Sequence, residues 1–366
     1  MKETYELAKA RALFDDPPAP TPEVIAAARA KLTEGDKVSS HRAKRRRGGL
    51  RTAWFTTFGL SLAGAVTAAA VTIAMVGHRG VREPNGRPSA RGLLLAAAQG
   101  AEAESPATGR YWHLTIRGDE LIQVGKPGHT TYQVYAPTRS EIWMSTDGHG
   151  PTWEKSQDLG AKPATKADWD TWRKEGAPTT FRGKDTGDEI SSKPGTSHIE
   201  RIKPGSYEDL FGQRLTPQDV QALPIDPLRL KLALTRLIRR ESSHVGDEQL
   251  FTWSSTVLLY SPASPKVRAA TYRMLADLPD VMQLGTVTDQ AGRTGTAITI
   301  NAGIDSQAST YGTRLIIDPS TGRALATEMV MTGKGRGAPG TAGLEQVAVS
   351  NVVLRTGWTN KAPSGR

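Results

Sequence analysis

Histidine and glycine are the residues of this chain whose positions first suggest chemistry, and neither forms a recognised site. The seven histidines are scattered, and none has the spacing of an HExxH or similar metal motif. The glycine-rich run from Gly333 to Gly340 lacks the strand-to-helix frame that cradles phosphate. No G-x-S-x-G motif occurs, and spacing selects no carboxylate pair for acid–base work. We therefore predict no catalytic residue, no cofactor and no metal site, and interpret the chain as non-enzymatic.

Cysteine is absent from the chain. Its absence excludes disulfides, thiolate zinc sites and cysteine nucleophiles together. It leaves the compartment open, since a cysteine-free domain with a sufficiently large core can also work outside the cell.

Three tryptophans are the candidates for ligand contact. Trp112, Trp143 and Trp153 lie in short runs separated by turn residues, which predicts neighbouring strands. On adjoining strands they could line an apolar cavity suited to a lipid or acyl chain. The interpretation that we favour is that they fill the core between a sheet and its helices.

The stretch from Thr52 to Gly77 contains no charged residue and is long enough to cross a bilayer as a helix. A buried core helix is the alternative. Basic residues crowd its N-terminal side more densely than its C-terminal side, so the positive-inside rule places the N-terminus in the cytoplasm. The flanking basic residues are Arg42, Lys44, Arg45, Arg46, Arg47 and Arg51.

The formal net charge of +10 suggests a nucleic-acid or membrane-surface partner. Much of the excess lies in the run from Arg42 to Arg51. A basic run beside a membrane span is most simply a topology signal that also contacts anionic lipid. Because no nucleic-acid recognition motif accompanies it, no nucleic-acid partner is expected.

These patterns predict five segments. Residues 1–51 are a cytoplasmic tail with short helices and the basic run, 52–77 a transmembrane helix, and 78–88 a linker. Residues 89–357 form an extracellular domain, and 358–366 are a disordered C-terminus. Alone the tail cannot bury a core, so it is either a mobile segment with transient helices or a segment that folds on a partner.

The predicted outer domain reads as helix, strands, helices and strands. Cap-and-proline pairs at Thr216-Pro217, Asp226-Pro227 and Ser264-Pro265 predict helix starts, and Asp318 to Gly322 predicts a hairpin turn. The polar region from Gly160 to Ile202 is interpreted as a long surface loop with one short helix. The pattern indicates an α+β fold, with helices gathered on one face of an antiparallel sheet.

Several stretches resemble a family of uncharacterised actinobacterial single-pass membrane proteins, often associated with extracytoplasmic-function sigma factors. They are the Thr21-Pro22-Glu23 helix start before the basic run, the single span, Gly109 to Trp112, Arg268 to Val281 and Leu315 to Arg323. The resemblance implies an outer domain similar to the half-barrels of periplasmic lipoprotein carriers and envelope-stress sensors. In that form, helices pack on the concave face of a curved antiparallel sheet. No catalytic residue is implied.

The sequence and the resemblance together suggest a membrane-anchored sensor or regulator in the plasma membrane. Its outer domain would bind an envelope ligand or protein, and residues 1–40 would bind a cytoplasmic protein such as a sigma factor. The alternative is a membrane-tethered module that binds lipid or lipoprotein.

Overall fold

The computed structural model describes residues 89–125, 131–146, 150–202, 215–240, 242, 245–304, 310–332 and 345–363. Within these ranges lie six helices and twelve strands. The helices are α1 (Ala90–Ala103), α2 (Lys166–Lys174), α3 (Pro217–Gln221), α4 (Pro227–Ile238), α5 (Asp247–Leu259) and α6 (Pro265–Ala276). The strands are β1 (Tyr111–Val124), β2 (Tyr132–Ser145), β3 (Thr152–Asp158), β4 (Lys162–Pro163), β5 (Thr180–Arg182), β6 (Glu189–Ser191), β7 (His198–Ile202), β8 (Val281–Thr288), β9 (Thr294–Ile304), β10 (Thr310–Ile317), β11 (Ala324–Thr332) and β12 (Glu345–Thr359).

Ten of these strands form one antiparallel sheet in the order β7-β3-β2-β1-β12-β11-β10-β9-β8, with β4 paired beside β2. Strands that follow one another in sequence are neighbours in β1–β3 and in β8–β12, as the turn residues predict. β7 joins the edge of β3 only after the connection formed by residues 159–197. The first and last strands, β1 and β12, pair at the junction of the two halves. The predicted mixed α+β class with a large antiparallel sheet is therefore confirmed.

Three helices begin at the cap-and-proline pairs that the sequence predicts. Thr216, Asp226 and Ser264 each accept a hydrogen bond from the backbone N–H three residues later, and proline follows each of them. The side-chain oxygen satisfies one otherwise unpaired N–H, and proline sets the helical φ without losing a useful donor. Local chemistry therefore determines where these helices start.

The main hydrophobic core lies between one face of the sheet and helices α1 and α4–α6. Leu94 of α1, Leu234 of α4 and Phe251 of α5 are fully buried there, as are Leu114 and Leu315 from the sheet. Helix α1 approaches the β10–β11 turn so closely that a Cβ added at Gly322 would lie 2.7 Å from Ala97 Cα. This contact holds the first helix of the domain against a late part of the chain.

The structure differs from the sequence predictions in one region and at one boundary. The region from Gly160 to Ile202 contains the predicted short helix, α2, but also strands β4 to β7, so its interpretation as a loop was wrong. These strands are two to five residues long, too short for their alternation to be recognised in sequence. At the other end, β12 continues to Thr359, beyond the predicted domain boundary at 357.

The predicted tail, span and linker, residues 1–88, lie outside the described residues, as do Gly333 to Gly340 and the six basic residues beside the span. Among the helices that the structure describes, none combines the length and apolar character needed to cross a membrane.

Candidate functional site

Side chains of β1, β2 and β3 alternate between the two faces of the sheet. Leu114 and Ile142 enter the helix-covered core. Their neighbours His113, Glu141 and Trp143 therefore turn to the opposite face, which we call the polar face. The register confirms this grouping, because His113 lies opposite Trp143 and Trp143 lies opposite Trp153. The polar face is thus built by three adjacent strands in fixed register.

The His113 imidazole stacks on the Trp143 ring, with centroids 4.6 Å apart and planes inclined by 25°. Its Nε2 is buried, accepts or donates no hydrogen bond within the described chain, and lies 3.9 Å from Glu141 Oε2. Burial lowers the pKa of His113; Glu141 opposes this shift and Arg355 adds to it. The imidazole of His113 therefore stays neutral to a lower pH than the imidazole of a free histidine does.

A charged depression of about 150 Å³ lies beside this stack. Arg139 Nη2 is 3.3 Å from Glu141 Oε1, and Lys155 lies directly across the strands from Glu141. Almost half of the Arg139 side chain is exposed (47%), so its guanidinium keeps N–H groups for a ligand. The depression is lined by Arg139, Glu141, Lys155, Gln157 and Ser197.

Two cations face one carboxylate in this depression, so its net charge is positive. Arginine presents a planar fork of donors that matches carboxylate and phosphate, and lysine adds a mobile point charge. Gln157 is held in place because its Nε2 donates to Gly195 O at 3.0 Å. The arrangement is suited to recognising an anionic group through hydrogen bonds and charge.

The structure separates the three predicted tryptophans. Trp143 and Trp153 lie on the polar face, whereas Trp112 is buried in the helix-covered core. Trp112 Nε1 donates to Tyr260 O at 2.8 Å, and its ring meets Trp358 edge-on at 5.1 Å. The three rings therefore do not converge on a single surface.

Farther along the polar face runs a row of buried ion pairs. Arg314 Nε donates to Glu328 Oε2 at 2.5 Å, and Ser350 Oγ donates to Glu328 Oε1 at 3.2 Å. The Arg117 guanidinium donates two hydrogen bonds of 2.9 Å to the Asp119 carboxylate. Burial raises the pKa of Glu328, with Arg314 opposing the shift. Because these groups bond one another, we interpret the row as structural.

Residues that could hold a metal are not clustered in the described part of the chain, where no three His, Asp or Glu side chains converge. A second depression, about 480 Å³ and broadly open, lies along α2. It is lined by Ala164, Thr165, Lys166, Trp169 and Arg173. Thr165 and Asp168 are occupied there in capping the helix, so this surface presents mainly one indole and two cations.

Sequence reasoning did not identify the lining of the charged depression. The available signal was the alternation Arg139-x-Glu141-x-Trp143 on one strand and Trp153-x-Lys155-x-Gln157 on the next. Each pattern predicts a strand with one polar, aromatic face. Only the β2–β3 register places the two patterns side by side.

No protein-family model matches this chain, and a comparison with curated proteins likewise gives no match. Among solved structures, one weak neighbour is the crystal structure of a LolA superfamily protein from Nitrosomonas europaea. It is 11% identical, with a TM-score of 0.15 over 75% of this chain and 95% of that chain. A likeness at this level carries no argument about function.

Proposed function

We propose that this chain is a membrane-anchored, non-enzymatic sensor whose extracellular domain binds an anionic ligand or acidic protein segment at the polar face. The observation that carries the proposal is the positively charged depression between Arg139 and Lys155, next to the His113–Trp143 stack. Its side chains can recognise charge and shape. They include no activated nucleophile, and no acid–base pair is aligned there.

Rigid strands support this assignment because they hold the recognition groups in a fixed arrangement. Arg139, Glu141 and Trp143 are alternate residues of β2, paired on both sides by β1 and β3. A preorganised site loses less conformational entropy on binding than one built from loops. Glu141 keeps Arg139 oriented and excludes ligands that lack enough negative charge to displace it.

The alternative, a lipid- or lipoprotein-binding module, requires an apolar cavity. In the described residues, large buried side chains pack together between the sheet and the helices, among them Trp112, Tyr272 and Phe251. Both depressions described above lie at the surface, and the one on the polar face is charged. These observations favour the sensor over the lipid carrier.

The anchor and the inner partner rest on the sequence. The uncharged stretch from Thr52 to Gly77 and its basic flank support a single span with a cytoplasmic N-terminus and a plasma-membrane location. The two predicted helices of residues 1–40 support a cytoplasmic protein partner, with a sigma factor as the specific proposal. The full chain can be purified from cells under conditions that keep weak complexes intact. If no sigma factor co-purifies with it, the proposal of a sigma-factor partner is refuted.

We also infer that the sheet curves into a half-barrel with α1 and α4–α6 on its concave side. Register shifts interrupt five strand pairings, and such bulges bend strands. Spin labels at Lys155→Cys and Leu284→Cys would measure the curvature across the sheet. Seven strand spacings in a flat sheet span about 34 Å, so a label separation at or above that value would refute the half-barrel.

The polar-face site can be tested on the full chain in detergent micelles. Because the protein has no cysteine, Ser197→Cys gives one labelling position in the depression, and Asp185→Cys gives a matched exposed position away from it. Poly-L-glutamate serves as the acidic probe. We expect its addition to change the fluorescence at position 197 but not at 185, and high salt to weaken the response.

Charge variants assign that response to the site. Arg139→Gln combined with Lys155→Gln should weaken apparent binding at position 197 at least about tenfold, the loss expected for removing charged hydrogen-bond donors. The control Lys174→Gln removes an exposed cation on α2 and should leave binding unchanged. Equal responses at positions 197 and 185, or no effect of the double substitution, would refute the site.

A further inference from the structure

The outward side of α4 exposes large apolar side chains that most proteins bury. Ile225, just before the helix, is 57% exposed, and Leu228 and Leu232 are 67% and 50% exposed. They are three of the five exposed large hydrophobic residues in the described chain. Spacings of three and four residues place them on one side of the helix.

Arginines continue the same side of the helix. Arg236 lies four residues after Leu232, and Arg239 follows three residues later, while Arg229 and Arg240 flank the stripe. All four arginines are exposed, and none forms an ion pair within the part of the chain that the structure describes. We call the seven residues the α4 surface: Ile225, Leu228, Arg229, Leu232, Arg236, Arg239 and Arg240.

The opposite side of α4 is firmly packed. Leu230, Leu234 and Ile238 are buried in the main core, and Lys231 Nζ lies 3.6 Å from Asp247 Oδ1 at the start of α5. The helix therefore already buries one complete apolar stripe. Its second, outward stripe is not needed to hold the fold together and is free to face another surface.

We propose that the α4 surface docks onto an anionic phospholipid bilayer. Leucines that project beside arginines match an interfacial helix, in which apolar side chains enter the headgroup boundary and cations contact lipid phosphate. Each cation near an anionic leaflet strengthens binding about fivefold, so four exposed arginines add substantially. A second copy of the chain fits less well, because a symmetric contact would bring two arginine clusters together.

The docking surface rests on the proposed membrane anchor. The segment between Gly77 and Ser89 reaches at most about 40 Å when fully extended, so a spanning helix would keep the domain at the bilayer. The anchor makes docking intramolecular, so that weak lipid contacts suffice to orient the polar face relative to the membrane.

The test uses the full chain reconstituted into vesicles of phosphatidylcholine, with or without phosphatidylglycerol. A polarity-sensitive fluorophore on Leu232→Cys reports the α4 surface, and the same fluorophore on Asp185→Cys is the control. We expect a blue-shifted emission and quenching by bilayer-resident quenchers at position 232 only, and only with phosphatidylglycerol. Arg236→Gln with Arg239→Gln should weaken the quenching at least fivefold, whereas Lys184→Gln with Lys193→Gln should not.

Three outcomes would overturn the docking proposal. They are a label at position 232 that stays water-exposed in both vesicles, equal shielding in neutral vesicles, and shielding that follows the protein-to-lipid ratio, which would indicate a second copy instead. Alkaline carbonate extraction of the same vesicles tests the span separately. A chain that resists extraction with position 232 exposed would refute docking alone. If carbonate extracts the chain, yet added anionic vesicles shield the label at position 232, the anchor alone is refuted.

Discussion

Replacing Arg314 with methionine tests the buried ion pair of the polar face. Glu328 is 1% exposed and Arg314 12%, so the substitution leaves a carboxylate in the interior without its cation. Breaking a buried pair in this way typically costs about 3–5 kcal/mol. For a domain of this size, that loss lowers Tm by roughly 6–20 °C.

The pH dependence of this loss is the distinguishing result. In the native protein the pKa of Glu328 is already raised, mainly by burial, with Arg314 pulling it down. Without Arg314 the folded-state pKa must rise further, so the folded variant takes up a proton more readily than its unfolded chain. The destabilisation should therefore shrink as pH falls, by up to about 1.4 kcal/mol per pH unit.

Thermal unfolding of the full chain in detergent micelles between about pH 8 and pH 6, followed by near-ultraviolet circular dichroism, measures this slope. Glu328→Gln carries no titrating proton at this position and should lack the slope. Lys166→Met breaks an exposed pair with Asp170 and should cost less than about 0.5 kcal/mol at every pH. A pH-independent loss for Arg314→Met, or a loss as small as that control, would refute the reasoning.

Three further predictions concern single positions. Gly322→Ala should lower the free energy of unfolding by at least about 2 kcal/mol, because φ is +69° and the new Cβ would meet Ala97. The control Gly292→Ala, at φ +82° but in open space, should cost about 1 kcal/mol in the same urea titration. Equal losses for the two variants would contradict this prediction. Trp112→Phe should cost about 1–3 kcal/mol by leaving Tyr260 O without its buried donor, and a neutral result in thermal unfolding would count against that hydrogen bond. Because the folded-state pKa of His113 is lowered, its contribution to stability is present above the unfolded pKa of 6.5 and is lost as pH falls from there through the folded pKa. His113→Gln should flatten the stability profile in that window, and an unchanged slope would show that another group titrates there.

Much of the secondary structure is readable from the sequence because its determinants are local. Thr216-Pro217, Asp226-Pro227 and Ser264-Pro265 each supply a cap and a preset φ to the helix that follows. Gly322 accepts the positive φ of the predicted β10–β11 turn. The short strands β4 to β7 escaped prediction because so few residues reveal no periodicity.

The sequence by itself determined the helix starts, the turns, the strand-rich halves and the absence of thiol chemistry. Only the tertiary structure decided which residues meet. Pairing of β1 with β12 brings Trp358 to Trp112, and the β2–β3 register brings Lys155 beside Glu141. Register is a long-range property, and a shift of one residue would move every side chain of a strand to the other face. For that physical reason the tryptophans were foreseeable as strand residues, whereas their division between core and polar face was not.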